Sequence, residues 1–396
     1  MKIKLIYSIV LCIVFGSIIS CNQESKDYSK VDLIPKFDNV SGYYGYATAD
    51  GQFAIEPKYH QAYPFYKGRA TVYDTTLIGG EKNGIIDKNG NEIVPLSYDH
   101  IDAMFINNYC GFKQNGLWGA LDTLGNVVVP AMYDLLGDFT PAGITYFFSD
   151  ADSAYGLINA RGEVLLEPEF DLFYENTYAE AANDKPYIVV YKDGATGLIN
   201  YETGEYTIPL SENQILSEYA QGMLFQFDYD NFYGYYVDEF GKKVIDQKYD
   251  DGYQFSEGLA WVEIDSKMAA IDTTGKIVIP SKYEYAYPFE NGYAEVYKDE
   301  GYDTVVVIDK HGNEVYTGSG DDYIEIFTDK NEVYILINSD VSYCLNGKGK
   351  IVVPHEEMGK EWSAIYYFDN GVFRVEDQRG LPFHYYRNGR LIDSEE

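Results

Sequence analysis

One short unit recurs along the chain, and that recurrence restricts the fold more than any other feature. A turn glycine returns at Gly51, Gly90, Gly125, Gly162, Gly204, Gly241, Gly275, Gly312, Gly349 and Gly389, at separations of 34 to 42 residues. Periods of this length belong to arrays of small supersecondary units, none of which can bury its apolar face alone, so neighbours must pack to make a core.

Each part of the unit has a physical reading. An apolar or aromatic run leads into Asp or Asn, as in Tyr155-Gly156-Leu157-Ile158-Asn159. The Asp or Asn, two spacers and Gly make a tight turn, in which the side-chain oxygen accepts turn N–H groups and Gly takes the positive-φ position. A β-branched run such as Ile351-Val352-Val353 is the return strand of a hairpin. Proline is expected to end that strand, at Pro57, Pro95, Pro130, Pro168, Pro209, Pro280 and Pro354, because it has no N–H for a ladder. An aromatic follows in several copies, then an aromatic–Gly turn such as Phe289-Glu290-Asn291-Gly292, then a third strand. Each unit reads as a three-stranded meander.

The order aromatic-Gly, two apolar residues, Asp/Asn, turn Gly, β-branched run, Pro-x-Tyr and Phe-x-x-Gly resembles the WG-repeat (KWG-repeat) family of bacterial proteins over about 350 residues. The signature tryptophan is Trp118, with Tyr44, Tyr155 and Tyr233 at matching positions; Asp246 and Thr317 stand where proline is expected, and Ala269 replaces the glycine in the seventh copy. Copies five, eight, nine and ten are the most eroded. The resemblance implies a binding or interaction scaffold rather than a defined chemistry.

The N-terminus points to export. Lys2 and Lys4 precede an apolar run from Leu5 to about Ile19, too short for a comfortable transmembrane helix and typical of a secretory signal. It ends in Ile18-Ile19-Ser20-Cys21, which resembles the lipobox of bacterial lipoproteins, and this implies an acylated mature N-terminus at Cys21. The reading is therefore residues 1–20 as signal, 21–41 as a flexible tether and 42–396 as the repeat array. No Asp follows Cys21 directly, so an outer-membrane anchor in the cell envelope is expected, with the membrane reached through the lipid only.

Charge excludes one partner class. The net charge of −33 becomes −35 once Lys2 and Lys4 leave with the signal, and such a chain is repelled by phosphate backbones, so no nucleic-acid partner is expected.

Candidate chemistry is sparse. Asp87, Asp122, Asp238, Asp272 and Asp309 share one turn position with Asn159 and Asn200, and a role open to both Asp and Asn is turn capping, not general base catalysis. Asp228-Tyr229-Asp230-Asn231 and Gly320-Asp321-Asp322 lack the pattern of an EF-hand loop. His60, His100, His311, His355 and His384 show no metal-ligand spacing. Cys110 and Cys344 are far apart, with no spacing that predicts or excludes a disulfide. No catalytic residue, metal or cofactor is expected. The 41 tyrosines are the compositional anomaly; most suit core and cross-strand positions, while Tyr366, Tyr367, Tyr385 and Tyr386 lie outside the repeat frame and are better ligand candidates.

These readings converge on an all-β tandem array of about ten three-stranded meanders. Ten units exceed the four to eight blades usual in propellers, which favours an open superhelical, solenoid-like stack over a closed β-propeller-like ring. The expected function is a non-enzymatic envelope lipoprotein whose repeats bind a protein or glycan at a site the sequence does not locate. The alternative is a polymer-degrading hydrolase with a dispersed carboxylate site.

Overall fold

The computed structural model describes residues 31–393, apart from 49–50, 77–79, 103–104, 174–184, 330–331, 340–341 and scattered positions between 355 and 389. Cys21, the signal segment and Gly389 lie outside the described residues. The chain is all-β, with no helix among the described residues. Ten small antiparallel sheets succeed one another in sequence order: seven of four strands, the first and sixth of three, and the last of five. Consecutive sheets are arranged as the blades of a β-propeller.

That arrangement is the alternative in the sequence reading and replaces the open superhelical stack. Single residues join consecutive sheets: His60, Asp99, Asp134, Asp171 and Glu284 each separate the last strand of one sheet from the first of the next. Nine apolar clusters lie among the described residues, each shared by two consecutive sheets. Equivalent joints repeat the same rotation, and a repeated head-to-tail rotation can close into a ring whatever the unit count suggests.

The first sheet begins earlier than expected. Ile34–Asp38 pairs antiparallel with Tyr43–Ala47, and Leu33 is buried in the core shared with the second sheet. Residues 33–38 thus belong to the array and not to a tether reaching position 41.

The meander also gains a strand. In the second sheet the order is Gln61–Ala62, Arg69–Thr76, Gly80–Asp87, Glu92–Tyr98, and the two-residue strand recurs in most sheets. It follows directly on the Pro-x-Tyr of the previous sheet, so the sequence repeat is offset from the sheet: one motif supplies parts of two neighbours. The aromatic of the Phe-x-x-Gly turn then reaches back into the sheet before it. Phe65 packs on Tyr46 at 4.6 Å, Phe255 on Tyr236 at 4.9 Å, and Phe289 stacks on Trp261 at 5.4 Å between centroids. The buried donors of those partners are satisfied across the same junction: Tyr46 and Tyr236 hydroxyls donate to the Tyr63 and Tyr253 carbonyls at 2.7 Å, and Trp261 Nε1–H to that of Tyr287 at 2.8 Å.

Proline does not end the fourth strand. The strands Glu92–Tyr98, Val127–Tyr133 and Ile277–Tyr283 run through Pro95, Pro130 and Pro280. In the third sheet Ala120 faces Val129 and Trp118 faces Tyr133, so the outer strand advances four residues while its partner advances two. The same count holds in the first, second, fourth and seventh sheets. Proline sits inside this bulge on an edge strand, where no ladder N–H is required. The bulge crosses the glycine of the WG motif so closely that a Cβ on Gly119 would lie 2.5 Å from the Val129 carbonyl oxygen and 2.8 Å from the Ala131 nitrogen. A side chain at Gly119 would therefore force the crossing strand to shift.

The Asp/Asn–Gly turns form as expected. Asp122 Oδ1 accepts from the Leu124 and Asn126 N–H groups at 2.8 and 2.9 Å, and Asn126 Nδ2 donates to Oδ2. Asn159 makes the equivalent bonds to Arg161 and Glu163.

Candidate binding surface

Each sheet has two kinds of end. One carries the Asp/Asn–Gly turn and the Phe-x-x-Gly turn; the other carries the hairpin between the second and third strands together with the single linking residue. At this second end the linking acid often caps the hairpin. Asp99, Asp134, Asp171 and Asp250 accept from the N–H of Asn115, Asp150, Asp193 and Asp265, at 2.6 to 3.2 Å. Contacts between like turns hold successive sheets in the same sense. Gln221 accepts from Gly258 N–H, Glu257 from Gly292 N–H, and Asn291 Nδ2 donates to the Ile326 carbonyl.

At the hairpin end of the seventh and eighth sheets, tyrosines gather around Tyr285. Its ring centroid lies 5.1 Å from Tyr287, 6.2 Å from Tyr302, 6.3 Å from Tyr253 and 6.4 Å from Tyr297. Tyr253, Tyr287 and Tyr302 meet Tyr285 nearly edge-on, at 85° to 90°, the arrangement the aromatic quadrupole favours. The cluster is open to solvent: Tyr287 is 40% and Tyr302 50% exposed. The fold positions these rings. Tyr285 faces Tyr297 across the short strand, while the alternate residues Ala286, Ala294 and Val296 turn into the core shared with sheet seven. Tyr302 sits in the hairpin at φ 57, in the left-handed region, with its N–H bonded to the Asp299 carbonyl at 3.0 Å. A bulky side chain held there stores about 1 kcal/mol or more of strain, which is a recurrent mark of functional positions.

Carboxylates border the rings. Tyr297 donates its hydroxyl hydrogen to Glu295 at 2.8 Å. Glu263 lies opposite Asp251 in the seventh sheet. Partial burial raises both Glu263 and Glu295 above the ordinary carboxylate range, for Glu263 helped by the like charges of Asp251 and Asp250. Burial also raises the phenols of Tyr253 and Tyr297, so both rings stay neutral. Lys267 and Lys298 are already paired, with Glu284 and Glu314.

Among the described residues, those singled out from the sequence are engaged by local partners and are not brought together. His60 pairs with Asp74 at 2.8 Å, His100 with Asp102 at 3.1 Å, and His311 lies in the Asp309 turn. The His355 and His384 side chains lie outside the described residues, as do those of Tyr366, Tyr367, Tyr385 and Tyr386. Asp228 is occupied by its own turn, accepting from Asp230 N–H and Asn231 Nδ2, and Asp322 accepts from the Tyr316 hydroxyl and Ser319 N–H. Cys110 and Cys344 are free and buried, in the third and ninth sheets, and burial raises both thiols. Among the described residues no three His, Cys, Asp or Glu side chains are grouped to hold a metal. The tyrosine cluster itself escaped sequence reading; its signal was the alternation Tyr283-x-Tyr285-x-Tyr287 beside an acidic turn at Asp299-Glu300-Gly301-Tyr302.

No curated protein matches the chain. Among solved structures it is similar to BamB from Moraxella catarrhalis, with 11% identity over 72% of this chain and 96% of that one and a TM-score of 0.40. It is also similar to a eukaryotic initiation factor, with 12% identity over 92% and 97% and a TM-score of 0.46, and to Kluyveromyces lactis Hsv2p, with 9% over 62% and 92% and a TM-score of 0.38. The pattern described as WG containing repeat matches six times, at residues 44–73, 84–118, 118–144, 155–178, 236–267 and 270–302. The matches skip the eroded fifth copy and stop after residue 302, and with the bulged Gly–Pro strand pairs they make this chain a WG-repeat protein.

Proposed function

We propose that the chain is a non-enzymatic, lipid-anchored envelope protein that uses its repeat scaffold to hold a partner at the Tyr285-centred surface. The observation that carries this reading is the exposed ring cluster, in which five tyrosines converge. Exposed aromatics in contiguous groups are what recognition surfaces present.

The anchor reading rests on the Ser20-Cys21 junction after the apolar run. The fold adds a geometric consequence. Asp32 lies 3.9 Å from Lys88, in the Asp87–Gly90 turn of the second sheet, so the chain joins the array at its Asp-turn end. Eleven residues from Cys21 to Val31 span at most about 35–40 Å. A lipid at Cys21 keeps the Asp-turn face toward the membrane and leaves the hairpin face, with its tyrosines, pointing away.

Two experiments test the reading. Cys21→Ser should release the protein from membranes; a variant that stays membrane-bound, beside a wild type lacking acyl chains, refutes the anchor. The chain from residue 22 retains every described strand, and a panel of envelope glycans and polypeptides should include a ligand whose binding falls at least tenfold in Tyr285→Ala. Polymer turnover abolished by Glu263→Gln would replace binding with hydrolysis.

A further inference from the structure

Resting on the binding surface just proposed, we infer that its ligand is a basic polypeptide segment, with a Lys or Arg side chain laid against the Tyr285–Tyr302 rings and its charge turned toward Glu263 and Glu295. Three observations support this occupant over a neutral sugar. First, the surrounding surface carries more acids than lysines. Asp250, Asp251, Glu284, Asp299, Glu300 and Asp303 all belong to the hairpin end or linking strands of sheets seven and eight. The lysines at this end are engaged within the chain, Lys267 with Glu284, Lys298 with Glu314 and Lys282 over the Tyr283 ring.

Second, Glu263 and Glu295 are partly buried and have no cationic partner among the described residues; Glu295 receives only a phenol, and Glu263 faces another acid. A half-buried carboxylate is costly to keep charged, and a ligand cation repays part of that cost.

Third, the chain already shows what its tyrosines accept. At the sixth sheet Lys243 lies 3.6 Å from the Tyr235 centroid and Lys248 3.7 Å from that of Tyr233, each an ammonium over a ring face. No such cation lies over Tyr285 or Tyr302 among the described residues. Tyr285 and Tyr302 thus differ from Tyr233 and Tyr235 in lacking an internal lysine among the described residues.

The test uses the full chain in detergent and a blocked Gly-Arg-Gly-Arg-Gly peptide, with affinity read by calorimetry. Because the whole protein is acidic, the control is a charge change elsewhere. Tyr302→Asn keeps a residue that tolerates the left-handed turn and leaves net charge unchanged; it should weaken peptide binding at least tenfold. Glu263→Gln should weaken it about as much. Asp228→Asn combined with Asp230→Asn removes two charges from the sixth sheet and should change affinity less than twofold. Equal losses in all three variants would show diffuse attraction and overturn the proposal, as would no binding to wild type. If the peptide fails while a neutral envelope glycan binds and is lost in Tyr302→Asn, the cationic ligand is wrong and the binding surface stands. If no ligand in the panel responds to Tyr302→Asn, both fail.

Discussion

The third and eighth sheets solve the same pairing problem in different ways. In the third, Gly119 lies under a bulge that carries Pro130, and the outer strand gains two residues before Tyr133 meets Trp118. In the eighth, the glycine position holds Val306 and the proline position Thr317, and the two face each other directly. Val305, Val306 and Val307 pair with Gly318, Thr317 and Tyr316 in unbroken register; only the shift beside the turn, between Val307 and Ile308, is kept. In the eighth sheet glycine, proline and bulge are lost together, whereas the seventh keeps Pro280 and the bulge with Ala269 at the glycine position, so the bulge follows proline more closely than glycine. Proline occupies a stretch without ladder bonds, and a small residue, Gly119 in the third sheet and Ala269 in the seventh, lies under the backbone that crosses it. The sixth sheet holds Asp246 in place of proline and carries Gly234 four residues before Asp238, and its fourth strand is reduced to bridges from Gly234 to Tyr249 and from Val237 to Lys243.

The comparison can be broken most forcefully at Gly119. Gly119→Val should cost about 3 kcal/mol or more, because the new methyls overlap the Val129 carbonyl and the Phe112 ring; urea unfolding near wild-type stability would mean the bulge moves freely. The reverse change is milder. Val306→Gly removes a fully buried side chain without relieving any clash and should cost about 2 kcal/mol. Pro130→Ala should cost less than about 1 kcal/mol, since the bulge asks nothing of that N–H. Tyr283→Phe, at the residue that closes the bulge of the seventh sheet, should be neutral or stabilising by a few tenths of a kcal/mol. Its hydroxyl is buried without a partner, as are those of Tyr59 and Tyr249.

The smallest effect is a pH signature in the eighth sheet. Burial raises Glu295, so the folded chain holds that proton more tightly than the unfolded chain. The resulting stability is present below the ordinary Glu range and lost as pH rises through the raised value. Glu295→Gln should unfold at higher urea than wild type at pH 7, with the gap closing toward about pH 4. The turn aspartates run the other way. Asp309 is lowered: burial opposes it, and hydrogen bonds from Asn313 and His311 outweigh that. Its contribution fades in acid, and an unchanged gap between wild type and Glu295→Gln across this range would contradict the assignment.

What could be read in advance followed from how many residues announce each element. Turns were legible because Asp or Asn at one position and Gly at another are each demanded by backbone geometry. The buried frame tyrosines, such as Tyr46 and Tyr236, followed from strand patterning. The two-residue strand was invisible, since Gln61–Ala62 or Tyr285–Ala286 is too short for any period to register. Proline misled because its missing N–H ends a regular strand yet suits a bulged edge. The tyrosine surface was hidden because Tyr253 and Tyr302 come from different sheets and meet only after folding.

The offset between motif and sheet has a consequence for how such chains are inherited. A duplicated gene segment cut at the motif boundary carries the outer strand of one sheet and the opening strands of the next, so each insertion brings both halves of a junction. Copy number can then rise or fall by recombination without exposing a mismatched core at the splice, and divergence is free to gather inside single copies, as it has in the fifth and eighth.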